Sequence, residues 1–243
     1  MALARTARIE SARRVGSEAC LFDLVLVGDG PLGFRGGQYV IVDAGIDLPN
    51  GKRAKRAYSI VSPDVDQQRF SILVKRIDGG PGSNALQQKV PGDALAFSGP
   101  WGKHVVDECS RQGDMFVFAT DTGVTAAIGL ARSSAFAPQR KRARLVWYTR
   151  GDDDFVPAST VEDLLGPAAD GLFLEPALPI GHPERIVHAV AAARCHVGNA
   201  TAIFASGDGS VLHPLRQALV AAGAREELVR VESFFNNPLK KTA

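Results

Sequence analysis

The chain has 243 residues, 45% hydrophobic and 22% charged, enough for one large or two modest domains with cores of their own. Its net charge of +2 gives no reason to expect nucleic acid or an anionic membrane as partner. No apolar run nears the roughly 20 residues that span a bilayer, Met1 to Arg14 lacks the apolar segment of a signal peptide, and a cytoplasmic location is expected. Cys20, Cys109 and Cys195 form no close pair, so the cysteines predict no disulfide, zinc or iron-sulfur site.

The first hundred residues read as six short strands, over 6–13, 20–27, 38–43, 57–61, 69–76 and 94–98, punctuated by Gly28-Asp29-Gly30-Pro31 and Gly36-Gly37. Such spacing predicts a small antiparallel β-barrel. Within it, Arg56-Ala57-Tyr58-Ser59 places a cation and an aromatic ring on one face of a strand and a hydroxyl on the other. A guanidinium can clamp a pyrophosphate, and a phenol can stack on a flat heterocycle. The same four residues also suit an ordinary edge strand. A short helix over 83–89 follows Gly80-Pro81-Gly82-Ser83-Asn84, where two glycines clear the approach to the free amides of a helix N-terminus, although Ser83 can equally be a plain N-cap.

From about residue 111 the pattern changes to continuous apolar runs over 115–119, 145–148, 172–174 and 203–205, as in strands buried on both faces of a parallel sheet. Helical periodicity fills gaps between them: Val124, Ala127, Ile128 and Ala131 share one face, as do Val211, Leu212, Leu215, Ala218, Leu219 and Ala222. The expected architecture is two domains, a six-stranded antiparallel barrel over 1–110 and a doubly wound α/β domain over 111–243, with ligands at the carboxyl ends of the parallel strands. Those ends carry Thr120-Asp121-Thr122-Gly123, Arg150-Gly151 and Ser206-Gly207-Asp208-Gly209. A last strand, 229–234, alternates before the tail Phe235 to Ala243.

The Arg56 stretch, the Gly80 to Asn84 turn, Gly92-Asp93 and Ser98-Gly99-Pro100-Trp101-Gly102 occur in an order and spacing that resemble the flavin domain of the ferredoxin-NADP reductase superfamily, and the resemblance extends over nearly the whole chain. It implies FAD held by Arg56, Ala57, Tyr58, Ser59, Val74, Lys75, Gly80, Gly82, Ser83, Asn84 and Phe234; Lys75 lies in the family's Val-Lys-Arg run but also reads as a solvated strand end. It implies NAD(P)H at Thr120, Asp121, Thr122, Gly123, Arg150, Glu175, Gly207 and Asp208, and chemistry assisted by Ser59, by Ser206 at the family's cysteine position and by Glu232 near the hydride path. Phe234 would stack on the flavin ring, or with Phe235 it is simply a core residue of an edge strand. The acceptor implied is a redox protein such as a ferredoxin, a flavodoxin or an oxygenase component.

Two departures bear on the donor. The family turn threonine-glycine-threonine-glycine has Asp121 at its first glycine, and a carboxylate about 5 Å from a pyrophosphate charge repels it by roughly 3 kcal/mol at an effective dielectric of 20. Asp121 can instead cap the helix at Val124 or bond a ribose hydroxyl. Where NADPH-selective members carry serine-arginine, this chain has Glu175-Pro176, which favours NADH. The reading is an NAD(P)H-dependent flavoprotein reductase; the alternatives are a flavin-binding electron-transfer or regulatory subunit with a lapsed nicotinamide site, and a structural module without flavin. No metal site is expected, since His182, His188 and His196 lack ligand spacing and read as solvated or capping, and Asp152-Asp153-Asp154 reads as a wet loop. The run Arg140-Lys141-Arg142-Ala143-Arg144 reads either as a landing patch for an acidic redox protein or as a solvated connection.

Overall fold

The computed structural model describes residues 4–197 and 200–237; residues 238–243 of the C-terminal tail lie outside them. Six strands, β1 (Arg5–Arg14), β2 (Ala19–Val27), β3 (Tyr39–Asp47), β4 (Arg53–Ser59), β5 (Arg69–Lys75) and β6 (Ala94–Trp101), form an antiparallel sheet in the order β4-β3-β6-β1-β2-β5. Antiparallel bridging of Ile60 to Ile72 brings its two edges together into a barrel. Its interior is filled by Ile9, Phe22, Leu24, Val40, Val42, Phe70, Ile72 and Phe97, which point inward from alternating positions. Strand β4 begins four residues before its expected start: Ala54 faces the core while Arg53, Lys55 and Arg56 face water, a charged edge that masks a strand pattern.

A short helix, α1 (Pro81–Gln87), sits between β5 and β6, and its N-cap is Gly80 rather than Ser83, so the helix starts two residues earlier than expected. The second sheet contains β7 (Asp114–Thr120), β8 (Ala143–Thr149), β9 (Leu172–Pro176), β10 (Ala200–Asp208) and β11 (Val229–Phe235), all parallel, in the order β11-β10-β7-β8-β9. Helices α2 (Val124–Ala131), α3 (Ala158–Leu165), α4 (Arg185–Arg194) and α5 (Gly209–Ala221) cover it. The chain builds outward from β7 to β8 and β9, then crosses back to add β10 and β11 on the other side, so the switch point lies between β7 and β10. Helix α4 escapes sequence patterning because its buried residues are Arg185, Ala189 and Ala193, none a large apolar side chain.

The two sheets share a core. Ala19, Leu21, Val61 and Leu73 from the barrel pack with Val117, Val124, Ile128, Trp147, Phe155 and Phe204 from the α/β layer. Gly36 and Gly129 make the contact between them, because a Cβ on Gly36 would run into the Gly129 carbonyl and one on Gly129 into the Ile60 carbonyl. Gly36, which reads in the sequence as turn punctuation, is therefore an interface residue. Arg132 adds a bond to the Val61 carbonyl at 2.9 Å, and Arg230 to Asp107 at 2.5 Å. The carboxyl ends of β7, β8 and β10 are thereby directed at the barrel wall that carries β4.

Candidate active site

Between barrel and α/β layer lies a cavity of about 270 Å³, lined by Arg56, Ala57, Tyr58, Ser59, Leu73, Lys75, Gly80 and Ser83 from the barrel, Thr122, Thr125 and Phe155 from the other layer, and Phe234 and Phe235 from β11. That is close to the ~300 Å³ at which small-molecule sites begin. Arg56 and Tyr58 share a face of β4, opposite Val42 and Val40 of β3. Among the described residues no carboxylate pairs with Arg56; it donates only to the Lys55 carbonyl, at 2.8 Å, and stays exposed. Burial pushes the Tyr58 phenol up to about 12, so it is neutral at any physiological pH. Phe234 stands at the irregularity in the β10–β11 register, where Gly207 pairs with Ser233 and Asp208 with Phe235. The extra residue turns its ring, 37% exposed, toward the cavity. Lys75 is held beside it by Glu18 at 3.8 Å and by the Phe155 ring, 5.9 Å from its centroid.

The residues present fit a flavin. The walls are apolar and aromatic with one open guanidinium on the rim, and the first-turn amides of Gly82 and Ser83 have no carbonyl to bond within α1. A Cβ on Gly82 would only reach ordinary contact with Arg56 and two alanines, so packing does not demand glycine there; the glycine leaves space beside the guanidinium. Ser83 spends its hydroxyl inside the turn, donating to the Gly80 carbonyl at 3.2 Å and accepting the Ile77 amide at 3.1 Å.

Other expected flavin residues lie elsewhere. Val74 is buried in the barrel interior and does not line the cavity. Asn84 lines a separate polar cavity with Arg14, Arg76, Asp78, Gln87 and Gln88. Glu232 lines a third, with Tyr39, Gly102, Lys103, His104 and Arg230. One of its oxygens is buried without a partner, and burial raises its carboxyl to about 7. Since Tyr39 pairs with Ser59, Glu232 stands one strand away from the cavity. Ser206 is fully buried with its hydroxyl committed to the Gly123 carbonyl at 2.9 Å; it pins the ends of β7 and β10 together and does not line the cavity.

The switch-point crevice differs most from expectation. Asp121 neither caps α2 nor stands free. Its carboxylate accepts from Arg185 at 2.5 Å, and the other arm of the same guanidinium holds Asp208. Arg185 is 2% exposed and Asp208 not at all. Asp208 further accepts from the Ser210 amide at 3.0 Å, the Ser210 hydroxyl at 2.8 Å and Asn236 at 3.2 Å, which makes it the N-cap of α5. Asp121 occupies the left-handed region, φ 50°, and burial raises its carboxyl against the opposing pull of Arg185. Gly207 closes the crevice from the other side, with φ 130° and no room for a Cβ against Thr120. Of the remaining turn residues Thr122 faces the interdomain cavity and Arg150 is exposed.

Glu175 bonds His196 at 3.0 Å, with Phe173 packed on the imidazole at 4.6 Å between centroids, so His196 is neither solvated nor a cap. Nor is Asp154 part of a wet loop: it is buried and accepts from the Thr149 hydroxyl at 3.1 Å and the Phe155 amide at 2.8 Å. The basic run lies at the N-terminal end of β8, a strand length or about 20 Å from the cavity end of the sheet. Sequence reasoning missed Arg185 and Phe155; the only sequence signal for Arg185 is a charged residue four and eight positions ahead of Ala189 and Ala193.

The fold is a barrel and a doubly wound domain that face each other across the cavity. Residues 6–105 match the model of the oxidoreductase FAD-binding domain family, and the chain as a whole has the fold of solved ferredoxin reductases. It is 34% identical over 151 residues to ferredoxin--NADP reductase B of Sorangium cellulosum, a match covering 62% of this chain and 60% of that one. Two further curated relatives are matched over only 38% and 34% of their lengths. Among solved structures, the ferredoxin reductase in carbazole 1,9a-dioxygenase superposes with a TM-score of 0.76 at 20% identity, covering 96% of this chain and 68% of that one. A ferredoxin NADP+ reductase from Neisseria gonorrhoeae gives 0.68 at 17% identity, covering 97% and 100%.

Proposed function

We propose that this protein is an FAD-containing oxidoreductase that takes reducing equivalents from NAD(P)H and passes them to a redox protein. The observation that carries the reading is the cavity in which Arg56, Tyr58, Ser59 and Phe234 meet under the carboxyl ends of the parallel strands. When bound, FAD supplies acceptance of a hydride and release of single electrons, chemistry that belongs to the cofactor. The chain supplies placement. Arg56 and the amides of Gly82 and Ser83 would hold the pyrophosphate, while Tyr58 and Phe234 would flank the ring. Ser59, whose hydroxyl has no protein partner among the described residues, would offer a hydrogen bond at the ring edge. Glu175, in place of a cation at the end of β9, supports NADH over NADPH. Names among the relatives, including the ferredoxin--NAD(+) reductase component of an alkene monooxygenase system, support a ferredoxin or an oxygenase component as acceptor. The domain division at residue 110, a cytoplasmic location and the assignment of individual site residues belong to the same proposal.

The second reading, a flavin subunit whose nicotinamide site has lapsed, draws on the Asp121–Arg185–Asp208 contacts in the crevice. Anaerobic titration of the FAD-loaded protein with NADH separates the two. A saturable bleaching of the flavin band is expected, and a flat response to both NADH and NADPH would overturn the donor assignment.

A further inference from the structure

Helix α4 packs on α5 and β8 through small side chains, Ala189, Ala193 and the half-buried Val190, and a charge ties down its first turn. Its buried residues are Arg185, Ala189 and Ala193, one per turn along a single face, while Ile186, Val187 and His188 are exposed. Two alanine methyls bury little apolar surface, so the guanidinium anchors the helix's first turn. The segment leading into it, residues 179–184, is exposed throughout. That anchor ends at the switch point, the place where a doubly wound domain takes a dinucleotide, between the carboxylates that end β7 and β10. Arg185 Nε is buried and has no partner, so the fork is not used up. Asp121 sits where left-handed backbone favours glycine, and its side chain is what fills the crevice.

We propose that Arg185 is the pyrophosphate-binding group of the dinucleotide site, held in reserve by Asp121, and that a nicotinamide dinucleotide binds by exchanging its phosphate for that carboxylate. The inference rests on the reading of NAD(P)H as donor. A phosphate oxygen can accept the single Nη2 bond that Asp121 accepts now, so the exchange preserves the number of bonds to Arg185 while Asp208 keeps the other arm. Entry without exchange would bring a dianion against two carboxylates whose single cation is already shared. Asp121 is thus a latch on the crevice, and the grip of Arg185 on Asp121 sets how tightly the dinucleotide binds.

The test is calorimetric titration of NAD+, and of NADP+ in parallel, into the FAD-loaded protein and its Asp121→Asn, Arg185→Gln and doubly substituted forms. Asparagine keeps the shape of the side chain and tolerates the backbone conformation. Asp121→Asn should tighten NAD+ tenfold or more, Arg185→Gln should weaken it tenfold or more, and the double variant should bind as weakly as Arg185→Gln. An equal gain from Asp121→Asn in the Arg185→Gln background would mean that Asp121 merely repels the ligand, and would overturn the latch. If Arg185→Gln does not fold, Arg185→Lys, which keeps the charge and loses the fork, should bind NAD+ at least fivefold more weakly, and unchanged binding would sink the proposal. Wild-type flavin bleached by NADH together with unchanged NAD+ binding in Asp121→Asn removes the latch alone. No dinucleotide binding and no bleaching in any variant removes the donor reading and the latch with it.

Discussion

Arg56 and Arg185 stand on the two sides of the interdomain site in opposite states. Arg56 reaches into solvent from a strand edge with a neighbouring carbonyl as its only partner among the described residues, whereas Arg185 is enclosed between two carboxylates. Both are guanidinium groups beside crevices for which phosphate is proposed, but one is available and the other already serves an anion of the protein itself. The contrast shows that the state of a cation is set by what else can reach it, and that the same residue type is left open on one side and supplies internal cohesion on the other.

The most severe way to break the comparison is to remove each cation. Arg185→Ala leaves Asp121 and Asp208 buried and uncompensated, and urea unfolding should show a loss of about 3–5 kcal/mol. Arg56→Ala should stay within about 0.5 kcal/mol of wild type in the same assay, as at other exposed sites. Equal losses would erase the distinction. Arg56→Ala should act on the ligand instead, lowering FAD affinity by about 2–3 kcal/mol through loss of a charge-assisted contact, read as flavin release on dilution. Retention of FAD at wild-type affinity would reassign the pyrophosphate site.

Glu232 extends the comparison to a half-buried acid that forms no ion pair among the described residues, although Lys103 and Arg230 line the same cavity. Its folded carboxyl, near 7, lies above the ordinary 4.5, so the folded protein binds the proton more tightly than the unfolded chain does. The resulting stabilisation is complete below about pH 4.5 and is lost as pH rises through about 7. Glu232→Gln should therefore match wild type in mild acid and exceed it by about 2 kcal/mol above pH 7, a figure reduced for partial exposure. Thermal unfolding across that range is the check, and parallel curves would show that the carboxyl titrates normally. The smallest effect is expected at Glu175, whose pair with His196 is partly exposed. Glu175→Gln should change stability by no more than about 1 kcal/mol and lower the preference for NADH over NADPH severalfold in stopped-flow flavin reduction. An unchanged preference would detach Glu175 from donor selection.

The Arg56 side of the site was open to reading from the chain because its parts are neighbours. Arg56, Tyr58 and Ser59 lie on one strand, Gly80 to Ser83 on one turn, and the spacing within each already says which groups share a face. The departures there are local ones: Asn84 points to a different cavity and Val74 into the barrel because the pleat and the helix turn decide which way a side chain leaves its element. Phe234 reaches the cavity only because a register irregularity turns it.

The kinds of element and their order follow from hydrophobic period and turn residues, which act over a few positions and survive any rearrangement of the rest: a barrel of short strands first, then runs buried on both faces alternating with helices. Partners brought from afar obey no such period. Arg185 meets Asp121 across 64 residues and Asp208 across 23, Glu175 meets His196 across 21, and Gly36 meets Gly129 across the domain boundary. A carboxylate at Asp121 looks in isolation like a charge that repels a phosphate. Only the crossover that returns the chain from β9 to β10 carries Arg185 over the switch point, and burial there makes the pairing obligatory, because a lone carboxylate out of water costs far more than one that shares a guanidinium.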